Sequence, residues 1–375
     1  MVSSVPWLEC RAPPRDQKRS ERSASPSFPT PVLRFDRDLL VPKSGEVVLA
    51  PALRELTLMQ PPHAWVSGAM RASRESRATL VDYPMAYKPG DVVSNRYRIL
   101  ERLGAGAHGV VYRARDLETR GELALKFLGD GKGLDPELSR RMEREAMAMA
   151  RLRGTSAVYV HGIATAQDGM LYVAMEMLYG KDFEQYLAEA EKVGGRIKAV
   201  RLLEILRPVA ATLEQAHRQG IIHRDLKPSN VFIVDQDKGG GVRLLDFGLA
   251  KLLDATTLTN DGMIAGTPSY IAPEAWRGTS KHLDHRIDVY SLGVIVFRAL
   301  AGKLPPPSSD LLEICKWATT GPRPSLHALR ASLPAAIDPW IQRALAIFPE
   351  QRFQSVAEAF ATLEAILAVR PTAPY

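Results

Sequence analysis

Hydrophobic and polar positions follow two different rhythms along the chain. After Asn95 the run RYRILERL alternates apolar and polar residues, and GVVYRARD and ELALKFL continue in β-branched and aromatic residues. Alternation of period two predicts three strands. A helical segment is predicted from Pro136 to Arg153, followed by two short strands in AVYVHGIAT and MLYVAMEML. From Asp182 onward the apolar spacing becomes helical. Pro208 within RLLEILRPVAATLEQAH is expected to start or kink a helix. A β-rich portion followed by a helix-rich one predicts an α+β chain of two packed lobes.

The first 88 residues have neither rhythm. RAPPRDQKRSERSASPSFPTP is dominated by Pro, Arg and Ser, so residues 1–88 read as a low-complexity, disordered extension. The organised region then covers 89–370, with a first lobe over about 95–179 and a second over about 180–370. Composition narrows the class. The 375 residues include only two cysteines, Cys10 and Cys315, which excludes a disulfide framework and fits a reducing compartment. The longest apolar stretch, Val289–Ala301, is broken by Arg298, so no membrane span is expected. The first residues lack the apolar core of a secretory signal, and the expected location is cytoplasmic. The net charge of +7 is spread without blocks and indicates no nucleic-acid partner.

Chemistry enters with Gly104-Ala-Gly106-Ala-His-Gly109-Val-Val111. Glycines at this spacing let backbone N–H groups approach a phosphate. The motif alone is weak, and a ligand-free glycine-rich turn stays open. A dinucleotide fold needs a helix next; VVYRAR predicts a hairpin instead. Lys126 shares a strand face with Ala124 and Leu128, opposite Leu123, Leu125 and Phe127. A lone lysine in a strand is more often a solvated edge residue. The next helix changes this weighing. At about 100° per residue, Leu138, Met142, Glu145, Met149 and Leu152 fall within about 40° of one line. A carboxylate on an apolar stripe requires a partner, and pairing Glu145 with Lys126 accounts for both residues.

The segment Ile221-Ile-His223-Arg224-Asp225-Leu-Lys227-Pro-Ser-Asn230 lies between apolar pieces expected to be short strands. Here an Asp and an Asn five residues apart can divide proton acceptance and cation binding. A KGGG turn at 238–241 predicts a second hairpin, which delivers Asp246-Phe247-Gly248 at a strand end. Mg²⁺ favours one or two carboxylates plus substrate phosphates; Asn230 and Asp246 supply such a site.

With GAGAHGVV, LALK, HRDLKPSN, DFG, GTPSYIAPE, IDVYSLGVIVF and PEQRF in this order, the chain resembles the eukaryotic-like (Hanks-type) protein kinases over about Tyr97 to Leu367. Within them it resembles the bacterial serine/threonine branch. The resemblance implies ATP and Mg²⁺ as cofactors and protein Ser/Thr hydroxyls as acceptors. It implies catalytic roles for Asp225 (proton acceptor), Lys227 (γ-phosphate) and Lys126 with Glu145 (α/β-phosphates), and metal ligation by Asn230 and Asp246. Leu103, Gly104, Gly106, Gly109, Val111, Ala124, Lys126 and Phe232 would surround the nucleotide. The adenine edge would meet the backbone of Glu176 and Met177, after a gatekeeper Met175. Asp288 would anchor the catalytic loop, Glu274 would pair with Arg352, and Val160, Met149, Phe247 and His223 would stack.

Lys227 and Thr267 point to Ser/Thr rather than Tyr acceptors. Arg224 before Asp225 implies control by autophosphorylation within Thr256–Thr259, with Thr267 against Asp225. GTSAVYV replaces the usual His-Pro-Asn stretch. A catalytically silent scaffold of the same fold is the alternative reading. Oligomeric state has no sequence signal.

Overall fold

In the computed structural model, the described residues are 87–106, 109–128, 151–247, 268–276, 283–306 and 308–368. Six strands form the first sheet: β1 (Val92–Val93), β2 (Tyr97–Gly106), β3 (Gly109–Asp116), β4 (Glu122–Leu128), β5 (Val160–Thr165) and β6 (Leu171–Glu176). Their order is β1-β2-β3-β4-β6-β5, with every pairing antiparallel. The period-two pattern explains its two faces. Tyr97, Ile99, Tyr112, Leu123, Leu125, Phe127 and Tyr172 build one core. On the other face of β4 lie Ala124, Lys126 and Leu128, all buried, and Leu128 belongs to the larger core. Lys126 is therefore no solvated edge residue.

Gly106 pairs with Gly109 in the β2–β3 hairpin, as the β-branched residues after the glycines require. Gly109 has φ 118°, and a Cβ there would fall 1.8 Å from the Phe127 carbonyl oxygen. Only glycine fits, because two strands meet at that point. Gly104 has open space where a Cβ would sit.

A second sheet, in the order β7-β8-β9, joins β7 (Gly180–Asp182), β8 (Val231–Val234) and β9 (Val242–Leu244). The predicted β8–β9 turn carries Gly239, Gly240 and Gly241, all at positive φ. Three consecutive left-handed residues explain the glycine run.

Helices supply the rest: α1 (Phe183–Lys192), α2 (Ala199–Arg218), α3 (Pro273–Trp276), α4 (Arg286–Ala301), α5 (Leu311–Thr320), α6 (Leu326–Leu329), α7 (Ile337–Ala344) and α8 (Val356–Ala368). Asp182 caps α1 by accepting the Gln185 N–H, and Asp310 caps α5 in the same way from Leu312 and Glu313. In α4 every residue after Arg286 is buried, so this helix is enclosed on all sides. It ends at Gly302, whose φ of 73° suits a left-handed cap. Among the described residues, no helix is long and apolar enough to cross a membrane.

Several expectations need correction. Of the two outcomes expected of Pro208, it does not start a helix: it lies inside the single helix α2. Ile221 and Ile222 form no strand; their segment is irregular and follows the end of α2. β5 begins at Val160, since Ala157 makes only an isolated bridge to Leu244. Residues 151–153 are turns; the rest of the predicted helix, with Glu145, lies outside the described residues. β1, which pairs with β2, lies a few residues ahead of the start expected at about 95. Tyr87, assigned to the extension, packs on the sheet: its ring lies 4.8 Å from that of Phe127, and its hydroxyl donates to Asp168 at 2.5 Å. A lone aromatic between Ala86 and Lys88 offers no period from which to infer that packing.

Candidate active site

The site begins at the end of α2. Gly220, at φ 74°, stops the helix, and the chain enters an irregular loop running to a single 3-10 turn at Pro228–Asn230. No backbone ladder can hold residues 221–227, so side chains must do so. Asp288 in the first turn of α4 supplies most of this support. Its Oδ2 accepts the His223 N–H at 2.9 Å and contacts His217 Nε2 at 2.8 Å; its Oδ1 accepts the Arg224 N–H at 2.9 Å. Asp288 is fully buried. Burial would raise its pKa, but the hydrogen bond and charge of His217, with the His223 contacts, win and hold it below the usual carboxylate range.

His223 is fixed just as closely. Its Nε2 contacts the Leu245 carbonyl oxygen at 2.8 Å, while its Nδ1 accepts the Asp225 N–H at 3.3 Å. Nδ1 must therefore be unprotonated, which selects the neutral Nε2–H tautomer. Burial independently lowers the His223 pKa. The ring stands 4.8 Å from that of buried Phe247. This is a packing and positioning histidine, not a base. Val160 shares the same core, and Met149 lies outside the described residues.

The loop then presents three polar residues together. Asn230 Nδ2 donates to the Asp225 carbonyl at 2.7 Å and to Asp225 Oδ2 at 3.1 Å. Lys227 Nζ lies 2.8 Å from the same Oδ2. Since the Asn230 amide nitrogen is committed, its Oδ1 is the group suited to a cation. Leu245 N–H donates to the Asn230 carbonyl at 2.8 Å and so ties Asp246 to this cluster. Asp246 itself holds φ 54°, a left-handed conformation that few residues other than glycine adopt and that Asn and Asp adopt most readily. Its Oδ1 lies 2.6 Å from Lys126 Nζ. Asn230 and Asp246 are hard oxygen donors, which suit Mg²⁺. Among the described residues, no group of three or more His, Cys, Asp or Glu could hold a metal by itself.

The sheet brings other expected nucleotide contacts into register. Gly104 pairs with Val111, Val111 with Lys126, and Lys126 with Val173, a single row across four strands. Ala124 pairs with Met175. Leu103 is exposed, and Gly106 lies at the hairpin end. Met177 follows β6, and Phe232 lies half-buried on β8. The Glu176 N–H donates to the Tyr159 carbonyl at 2.9 Å. That N–H is thus committed within the protein. Sequence reading gave no role to the Glu176 side chain, which pairs with Arg243 Nε at 3.0 Å and accepts the Tyr159 N–H. It also missed His217; the available signal was a histidine on the buried side of α2. Among the described residues, His217 Nδ1 has no hydrogen-bond partner.

Arg352 and Glu274 form a two-pronged ion pair of 2.6 and 2.7 Å, with Arg352 almost fully buried. Thr256, Thr257, Thr259, Thr267, Gly248 and His108 lie outside the described residues. Ser269 is described and buried.

Comparison with known proteins agrees with this geometry. Residues 97–353 match the protein kinase domain family model. The chain is 35% identical over 285 residues to the serine/threonine-protein kinase pkn3 of Myxococcus xanthus, covering 74% of this chain and 51% of that protein. It is 33% identical over 278 residues to PknL of Mycobacterium tuberculosis, a serine/threonine-protein kinase, covering 73% and 66%. A crystal structure of the Mycobacterium tuberculosis PknI kinase domain, in double-mutant form, superposes with TM-score 0.60 at 31% identity. It covers 76% of this chain and all of that one. The chain thus spans about half the length of pkn3.

Proposed function

This chain belongs to the protein kinase family, in its bacterial Hanks-type serine/threonine branch, and from that premise we propose that it transfers the γ-phosphate of ATP to serine and threonine hydroxyls of protein substrates. The observation that carries this reading is the cluster of Asp225, Lys227 and Asn230, joined through Leu245 to the Lys126–Asp246 pair. Two carboxylates, two cations and an amide oxygen are what phosphoryl transfer requires. Positioning and charge neutralisation supply most of its rate.

In this mechanism, Asp225 accepts the proton of the attacking hydroxyl. Asn230 holds the Asp225 backbone and carboxylate in place. Lys227 offsets charge on the transferred group, and Lys126 contacts the α- and β-phosphates. Asn230 and Asp246 hold Mg²⁺, which when bound neutralises phosphate charge. Lys126 keeps Asp246 oriented until the nucleotide arrives. Glu145 as the partner of Lys126, and autophosphorylation within Thr256–Thr259, belong to the same reading, as does a cytoplasmic location.

The test is phosphate transfer to a generic basic protein by wild type and Asp225→Asn. Losing a general base lowers the rate by about 10²–10⁴-fold. Equal rates would remove Asp225 from the mechanism, and absent transfer by the wild type would favour the silent scaffold.

A further inference from the structure

One residue set apart by the sequence has no part in this mechanism: Arg298, the single charge inside the apolar stretch Val289–Ala301. It is buried in α4. Its guanidinium uses all five N–H groups. Nε and Nη2 reach Glu191 at 2.9 and 3.1 Å, Nη1 and Nη2 reach Glu184 at 2.6 and 2.7 Å, and Nη1 donates to the Tyr270 hydroxyl at 2.9 Å. Glu184 and Glu191 are seven residues apart on α1 and so lie on one face.

Tyr270 is gripped at its other end too. Ser291 Oγ, two turns before Arg298 on α4, donates to the Tyr270 carbonyl at 2.9 Å. Asp288, three residues before Ser291, holds the two residues that precede Asp225. At about 1.5 Å of rise per residue, these anchors stand about 4.5 Å apart along the helix. One rigid, enclosed helix therefore sets the position of segment 268–270 relative to the Asp225 loop. Beyond Tyr270, Glu274 is pinned by Arg352. Tyr270 and Glu274, four residues apart, are thus each held by a buried arginine.

We propose that Arg298 is a positioning residue for the protein acceptor: it locks the Tyr270 side chain against α1, so that segment 268–270 presents a fixed surface beside Asp225. An apolar residue would fill the same space, as its neighbours on α4 do. It could not hold a phenol hydroxyl in one place. Replacing a buried ionic group by an apolar isostere is often neutral or favourable to stability, so packing alone does not call for this arginine and its two carboxylates. The inference rests on the reading of Asp225 given above.

Tyr270→Phe removes only the hydroxyl and tests the clamp with the charges left in place. Steady-state kinetics with a protein substrate and with ATP are measured for wild type, Tyr270→Phe, Arg298→Met and the double variant. Tyr270→Phe should raise KM for the protein about 3- to 10-fold while KM for ATP stays within about twofold. Arg298→Met should move the same constant further, and the double variant should be no worse than Arg298→Met alone, since both break one link. A folded Tyr270→Phe protein with unchanged KM for the protein substrate, or with both KM values rising together, overturns the proposal. If Arg298→Met does not fold, Tyr270→Phe decides alone. The wild-type control separates the two readings: absent transfer defeats the function and the clamp together, whereas active wild type with an indifferent Tyr270→Phe defeats only the clamp.

Discussion

Asp288→Asn isolates how the catalytic loop is held. The wild-type carboxylate offers two acceptor oxygens to three neighbours: Oδ2 to His217 Nε2 and the His223 N–H, Oδ1 to the Arg224 N–H. An asparagine of the same shape has one acceptor and one NH₂. With its oxygen at the Oδ2 position, the NH₂ meets the Arg224 N–H; rotated, it meets the His223 N–H. Either way a buried backbone donor faces another donor. An unsatisfied buried group costs about 1–3 kcal/mol, and the two remaining bonds lose their charge assistance, so about 2–4 kcal/mol is at stake. The neutral amide is cheaper to bury, which offsets part of this. At about 2–4 °C per kcal/mol for a domain of this size, the melting temperature should fall by about 4–16 °C. The strain falls on the two residues before Asp225, and a shift of about 1 Å there can cost about 10²-fold in rate. Circular-dichroism melting and kcat on a protein substrate are the assays. A variant within 1–2 °C of wild type, with kcat within about threefold, would refute the argument that Asp288 sets the loop.

Arg352→Met removes five hydrogen bonds of a buried guanidinium, two to Glu274 and three to the carbonyls of Ala346, Arg286 and Ile347. Breaking such a pair costs about 3–5 kcal/mol, to be read from urea midpoints; a loss under about 1 kcal/mol would contradict it. Asp116 accepts from Arg96 and from the N–H groups of Glu118 and Thr119, and its pKa is lowered to about 2, chiefly by the Arg96 hydrogen bond. With the folded pKa below the unfolded value of about 3.9, this stabilisation is full above that value and is lost as pH falls through about 2. Asp116→Asn should therefore be less stable than wild type at pH 6, and the gap should shrink from about pH 4 downward. A gap independent of pH would show that the carboxylate charge is not its source.

The sequence alone was enough to place β2, β3 and β4, because their period-two pattern reflects local backbone geometry, whereas β1 and the start of β5 were not legible in it. β3 and β4 begin and end where GVVYRARD and ELALKFL do. The residue types of the site were also legible, since Asp225, Lys227, Asn230, Asp246 and Lys126 lie in short motifs whose spacing carries chemistry. Partnerships were not. Local pattern cannot reveal that Asp246 meets Lys126, that His217 supports Asp288, or that Arg298 gathers two carboxylates and a phenol. These contacts join positions up to 120 residues apart in the chain. Pro208 shows the same limit from the other side: its helix-breaking tendency is local, and the packing of α2 into the core overrides it. What a residue can do is written in its chemistry and its neighbours in sequence. What it does depends on which distant group the packed core brings within hydrogen-bond reach, and only the three-dimensional structure decides that.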